Sequence, residues 1–145
     1  MVVTEVAFHF GATDRLGYTC RLLRKATASG ARVLVRAAVA DRAALDLALW
    51  NVGATDFVTH CDATASEAVR SRSSVLLLDD HAPLQPGFPV LVNLCEEVPE
   101  GFEQFARVIE VVSTDEQDRN LARLRWKHYT GRGYTITRHD LLSRA

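Results

Sequence analysis

Short apolar runs alternate along this chain with stretches whose apolar residues recur at helical spacing. Residues 4–10 are rich in β-forming types and stop at Gly11, which predicts a strand. Residues 15–29 follow with Leu16, Cys20, Leu22, Leu23 and Ala26 on one helical face. Asp14 is a suitable N-cap for that helix, and Gly30 occupies the position just past its end where a left-handed residue is favoured. Residues 32–37 form a compact apolar run of the kind found in buried parallel strands. A second helix is predicted from Asp41 to Trp50, carrying Ala44, Leu45, Leu47, Ala48 and Leu49.

The second half repeats the alternation. Residues 57–60 are a short strand candidate, and Val75, Leu76, Leu77 and Leu78 form a buried strand ended by Asp79 and Asp80. Residues 81–89 contain three of the four prolines and predict a loop. Strands are expected again at 90–94 and 108–112, with one or two helical turns over 102–106 between them. A last helix is predicted over 114–128, where Ser113 with Glu116 and Thr114 with Gln117 both match a capping box. Apolar strands alternating with helices define an α/β fold: one domain over residues 1–145, with a largely parallel sheet flanked by helices. No repeat, linker or low-complexity segment divides it.

Composition narrows the function classes. A hydrophobic share of 48% and a net charge of −1 describe an ordinary globular domain whose overall field does not draw it onto DNA, so an anionic partner must be met by a local patch. Cys20, Cys61 and Cys95 are few, odd in number and far apart, which fits reduced thiols in a cytosolic protein. The N-terminus shows neither a basic region nor a long apolar core, so no secretory signal is expected, and no apolar run reaches the ~20 residues that span a bilayer.

Candidate chemistry is weak along most of the chain. The apolar run ending in Asp79 and Asp80 resembles the magnesium-binding strand of phosphate-loop enzymes, but neither Lys25 nor Lys127 follows a glycine and no GxxxxGK[ST] exists. Gly11 to Gly17 spans a strand–helix turn without GxGxxG spacing. His60, Cys61 and Asp62 are metal-ligand types, yet neighbours on a strand point to opposite faces and no second cluster at zinc spacing follows. His9 and His81 are a further pair that the fold could bring together. No frame orders a nucleophile, base and acid. No catalytic residue, metal or cofactor is expected.

The exception lies near the C-terminus. From Arg119 to Arg138 the chain carries Arg119, Arg123, Arg125, Lys127, Arg132 and Arg138 with no acid between them, interleaved with Trp126, Tyr129 and Tyr134. Arg119, Arg123 and Trp126 are spaced i, i+4 and i+7 and share one helix face, with Leu121 and Leu124 placed to pack on the sheet. Two guanidiniums beside an indole suit a carboxylate next to an apolar side chain. The same pattern serves a solvated basic face whose tryptophan closes the core edge, or a patch on which single-stranded DNA bases stack. Trp50 and Phe57 form a second aromatic pair, read either as core or as a partner site.

These segments together resemble the chi subunit family of bacterial DNA polymerase III holoenzyme over nearly the whole chain. The likeness is carried by Phe8-His9-Phe10, by residues 31–35, by residues 45–50 with 57–60, by residues 91–94, and above all by residues 119–129 with Gly133-Tyr134. It implies a three-layer α/β fold similar to nucleotide-binding, Rossmann-like domains but without their phosphate loop. It implies a non-catalytic accessory subunit of cytoplasmic, replisome-associated machinery, which links the clamp loader, through psi, to the acidic C-terminal tail of single-stranded DNA-binding protein. The residues implied for the tail are Arg119, Arg123 and Trp126 with Val112 flanking; those implied for psi, or for a repair helicase associated with the same surface, are Trp50 and Phe57. The family's lysine and tyrosine become Arg119 and Trp126, keeping charge and aromaticity. Residues 62–72 and the proline-extended loop depart from the family pattern.

Overall fold

A computed structural model describes residues 4–50, 58–62 and 65–141. The elements run β1 (Glu5–Ala12), α1 (Arg15–Ala28), β2 (Val33–Ala37), α2 (Val39–Trp50), β3 (His60–Asp62), α3 (Glu67–Arg72), β4 (Val75–Asp79), β5 (Val90–Asn93), a 3-10 turn (Phe102–Gln104), β6 (Arg107–Ser113), α4 (Glu116–Gly131) and β7 (Ile136–Asp140). The strands form one seven-stranded sheet in the order β3-β4-β2-β5-β6-β1-β7, and every pair is parallel.

Alternation along the strands divides the core into two layers. Val33, Val35, Val75, Leu77, Val92, Ile109 and Val111 point to the side covered by Leu23 of α1 and by Leu45 and Leu49 of α2. Leu34, Leu76, Leu78, Leu91, Val108, Phe8 and Val112 point to the other side and meet Phe102, Phe105, Ala122 and Tyr129. Central strands buried on both faces read as continuous apolar runs, which is why they stand out in the sequence.

Helix ends are fixed by local chemistry. The Asp14 carboxylate caps α1 by accepting from the Gly17 amide at 3.1 Å. A Cβ on Gly17 would collide with that carboxylate, so this glycine serves the cap. At the other end Gly30 adopts φ 91°, and the amides of Gly30 and Ala31 bond the Thr27 and Ala26 carbonyls in a Schellman arrangement. The capping boxes expected before α4 do not form. Asp115 is the cap instead, accepting from the Asp118 amide, while the Asp118 carboxylate reaches back to the Ser113 amide and hydroxyl at 2.8 and 2.9 Å.

Three further expectations are corrected. The strand expected over 57–60 is formed by His60–Asp62, and Phe57 lies outside the described residues. The short helix α3, which buries no residue, and the edge strand β7 were not predicted as elements. His9 does not approach His81: three strands separate β1 from β4, and the His9 ring instead bonds the Tyr18 hydroxyl and packs 4.4 Å from His139.

Candidate functional site

The basic tract folds as α4 and β7, joined by a turn in which Gly133 takes φ 87°. What decides the rotation of α4 is a buried polar cluster. Glu110 of β6 is fully buried, and its carboxylate accepts from Arg125 Nε at 2.9 Å, from the Tyr129 hydroxyl at 2.7 Å and from Asn93 Nδ2 at 3.0 and 3.1 Å. Arg125, only 3% exposed, also donates to the Glu96 carbonyl at 3.0 Å. Burial pushes the Glu110 carboxyl above the ordinary glutamate value, against the pull of the Arg125 charge and of the hydrogen bonds from Tyr129, Asn93 and Arg125. Burial likewise raises the Tyr129 hydroxyl, and the neighbouring carboxylate adds to the effect.

The inner face of α4 is therefore Ala122, Arg125 and Tyr129. This corrects the placement of Leu124 and gives Arg125 a place that the sequence reading had left unassigned. Leu124 is 63% exposed and does not pack on the sheet, and Arg125 belongs to the interior. A charged residue in the middle of the apolar run 108–112 was the available sign, since a buried glutamate requires a cation and donors nearby.

With that face turned inward, Arg119, Arg123 and Trp126 lie together beside it and open onto a cleft of about 380 Å³ between α4 and the sheet edge. Phe8, Phe10, Val112 and Ala122 supply its apolar lining, and Lys127 and Arg138 complete it. Trp126 packs on Phe8 with ring centroids 5.1 Å apart and is half-buried. Val112 is buried and forms floor rather than rim. Four cations and no acid line the cleft. Arg123 donates to the Asn120 side-chain carbonyl at 2.8 Å, and among the described residues no carboxylate pairs with Arg119, Arg123, Lys127 or Arg138. The arrangement suits an anion attached to an apolar group, because charge and apolar surface converge on one concave site. The sequence reading missed Phe8, Phe10 and Arg138. The two phenylalanines are i and i+2 on one strand and so share a face, which was the legible signal.

The remaining candidates lie elsewhere. Trp50, at the end of α2, is 59% exposed and packs against the His60 ring at 5.2 Å. Val39 and Leu47 of the same helix are also largely exposed, and spacings of eight and three residues align them with Trp50 along one stripe. His60 is engaged by the Val58 carbonyl at 2.7 Å and by Asp46 at 3.0 Å, while Cys61 packs in the opposite core layer. Among the described residues no three histidine, cysteine or acidic side chains could together hold a metal ion, and no helix is long and apolar enough to cross a membrane. Asp79 accepts from the His81 amide at 2.8 Å, the main cause of its lowered pKa, and it pairs with Arg42 at 3.5 Å.

The chain is thus an α/β protein: an open, all-parallel sheet flanked by helices, with a cationic, aromatic cleft beside its last helix. The family model described as DNA polymerase III chi subunit, HolC, matches residues 3–137. DNA polymerase III subunit chi of Pseudomonas aeruginosa is 31% identical over 128 residues, covering 88% of this chain and 87% of that protein. The chain belongs to the DNA polymerase III chi subunit family, and its place is in DNA replication. Among solved structures it is similar to the C-terminal domain of the DEAD-box protein Dbp5, with a TM-score of 0.63 and 13% identity over 96% of this chain and 91% of that one. A point variant of that domain from S. cerevisiae gives a TM-score of 0.60 at 12% identity, over 94% of this chain and 90% of that one. These two likenesses speak to the fold alone.

Proposed function

We propose that the chain is a non-catalytic accessory subunit of DNA polymerase III, working in the cytoplasm at the replisome, whose α4 cleft binds the acidic C-terminal tail of single-stranded DNA-binding protein. The observation that carries this reading is the cleft lining: Arg119 and Arg123 on one wall, apolar floor from Phe8, Phe10 and Val112, and no acid among them. A peptide ending in a phenylalanine brings both complements on one residue, a ring for the floor and a terminal carboxylate for the guanidiniums.

The exposed stripe of α2 ending in Trp50 supports a second contact, with psi of the clamp loader or with a repair helicase; Phe57 is assigned to that contact by the family resemblance. The two surfaces lie on opposite faces of the sheet, since α2 covers one core layer and α4 the other, so the domain can hold two partners at once. Trp50→Ala is expected to lose the second partner in a pull-down from native cytosol and to retain the single-stranded DNA-binding protein.

Calorimetry with a synthetic acidic peptide ending in Phe tests the main reading. Binding is expected to weaken with salt, as exposed charge contacts do. Arg123→Ala is expected to cost about 1–3 kcal/mol, the scale of a lost charged hydrogen bond. Unchanged affinity in that variant, or binding of bare single-stranded DNA by the wild type in moderate salt in place of the peptide, would reject the assignment.

A further inference from the structure

The cleft has two cationic walls, and only one of them belongs to α4. Arg138 comes from the edge strand β7, paired in register with Phe8 of β1. Its guanidinium carbon lies 4.8 Å from the Phe10 ring centroid and 5.9 Å from that of Trp126. Two aromatic rings thus hold an exposed cation at the rim by cation–π attraction, while its N–H fork has no carboxylate partner among the described residues. Arg119 and Arg123 stand on the other side, about two turns and one turn of α4 N-terminal to Trp126 respectively.

An apolar side chain on the floor, with its terminal carboxylate against α4, directs the rest of an extended peptide outward over the rim. Two residues of extended chain cover roughly 6–7 Å, enough to carry an upstream side chain to the rim. Resting on the reading of the cleft as a peptide site, we propose that Arg138 is a specificity-determining residue that reads a side-chain carboxylate upstream of the apolar anchor. The site then demands two separate anionic points, one terminal and one internal. A merely hydrophobic C-terminus satisfies only the first.

The test uses the full chain and two synthetic peptides, both ending in Phe with a free carboxylate. One carries aspartates upstream and the other carries asparagines in their place. The wild type is expected to prefer the acidic peptide about tenfold or more, the scale of a charge-assisted hydrogen bond. Arg138→Gln removes that preference by weakening the acidic peptide alone, whereas Arg123→Ala weakens both. A preference that survives Arg138→Gln overturns the proposal and leaves the cleft reading standing. Equal binding of the two peptides by the wild type overturns it without recourse to any variant. A wild type that binds neither peptide overturns the cleft reading and this proposal with it.

Discussion

Replacing Arg125 by alanine is expected to destabilise the domain by about 3–5 kcal/mol, the cost of leaving a buried charge without its partner. The side chain is interior, its Nε donates to Glu110 at 2.9 Å, and its terminal nitrogen donates to the Glu96 carbonyl. In the variant the Glu110 carboxylate keeps Asn93 and Tyr129 as donors but loses its cation. In a chain of this size the loss should lower the melting temperature by roughly 10 °C. Adding Glu110→Gln should recover part of it, because the amide still offers an acceptor to Tyr129 and no charge remains buried. Urea unfolding of the two variants measures both numbers. A loss under about 1 kcal/mol for Arg125→Ala would show that Glu110 finds solvent or a proton readily, and that the pair does not pin α4.

The second large effect is on binding. Trp126→Ala is expected to cost at least about 2 kcal/mol in affinity for the acidic tail, as loss of a central aromatic anchor does. The indole spans Phe8 and Arg138, so its removal opens the apolar half of the cleft and frees the rim cation together. The domain should still unfold cooperatively, since Trp126 is only half-buried and leaves Phe8 and Tyr129 in edge contact. Its signature differs from that of Arg123→Ala: the salt dependence of binding should persist in Trp126→Ala and flatten in Arg123→Ala. A molten variant would make Trp126 a core residue and remove it from the site.

Much of this was legible because buried parallel strands advertise themselves. Val75 to Leu78 and Val90 to Val92 are apolar on both faces, and their neighbours could only be helices. The edge strand β7 has one apolar residue, Ile136, among polar ones, because its outer edge and most of its side chains meet water. No hydrophobic pattern marks such a strand, so its charges merged with those of α4. The i, i+4, i+7 spacing of Arg119, Arg123 and Trp126 put them on one helix face, and all three line the cleft. Charge alone did not separate Arg125 from these, since a buried arginine and an exposed one are written with the same letter. Only its partner distinguishes them, and Glu110 lies a full element earlier in the chain.

The sheet order has a consequence for how binding competence arises. β1 pairs with β6 and with β7, bringing residue 6 beside residue 136. The floor at Phe8 and Phe10 is thus made by β1 and the rim at Arg138 by β7, two strands far apart in the chain. Such distant pairings form late, after the loop entropy between them has been overcome. A nascent chain therefore exposes the phenylalanines long before α4 and β7 arrive to cover them, and it has no assembled cleft during that interval. An assembled cleft is in this sense a property of the finished domain: a chain that stalls or is clipped before β7 docks lacks the rim at Arg138.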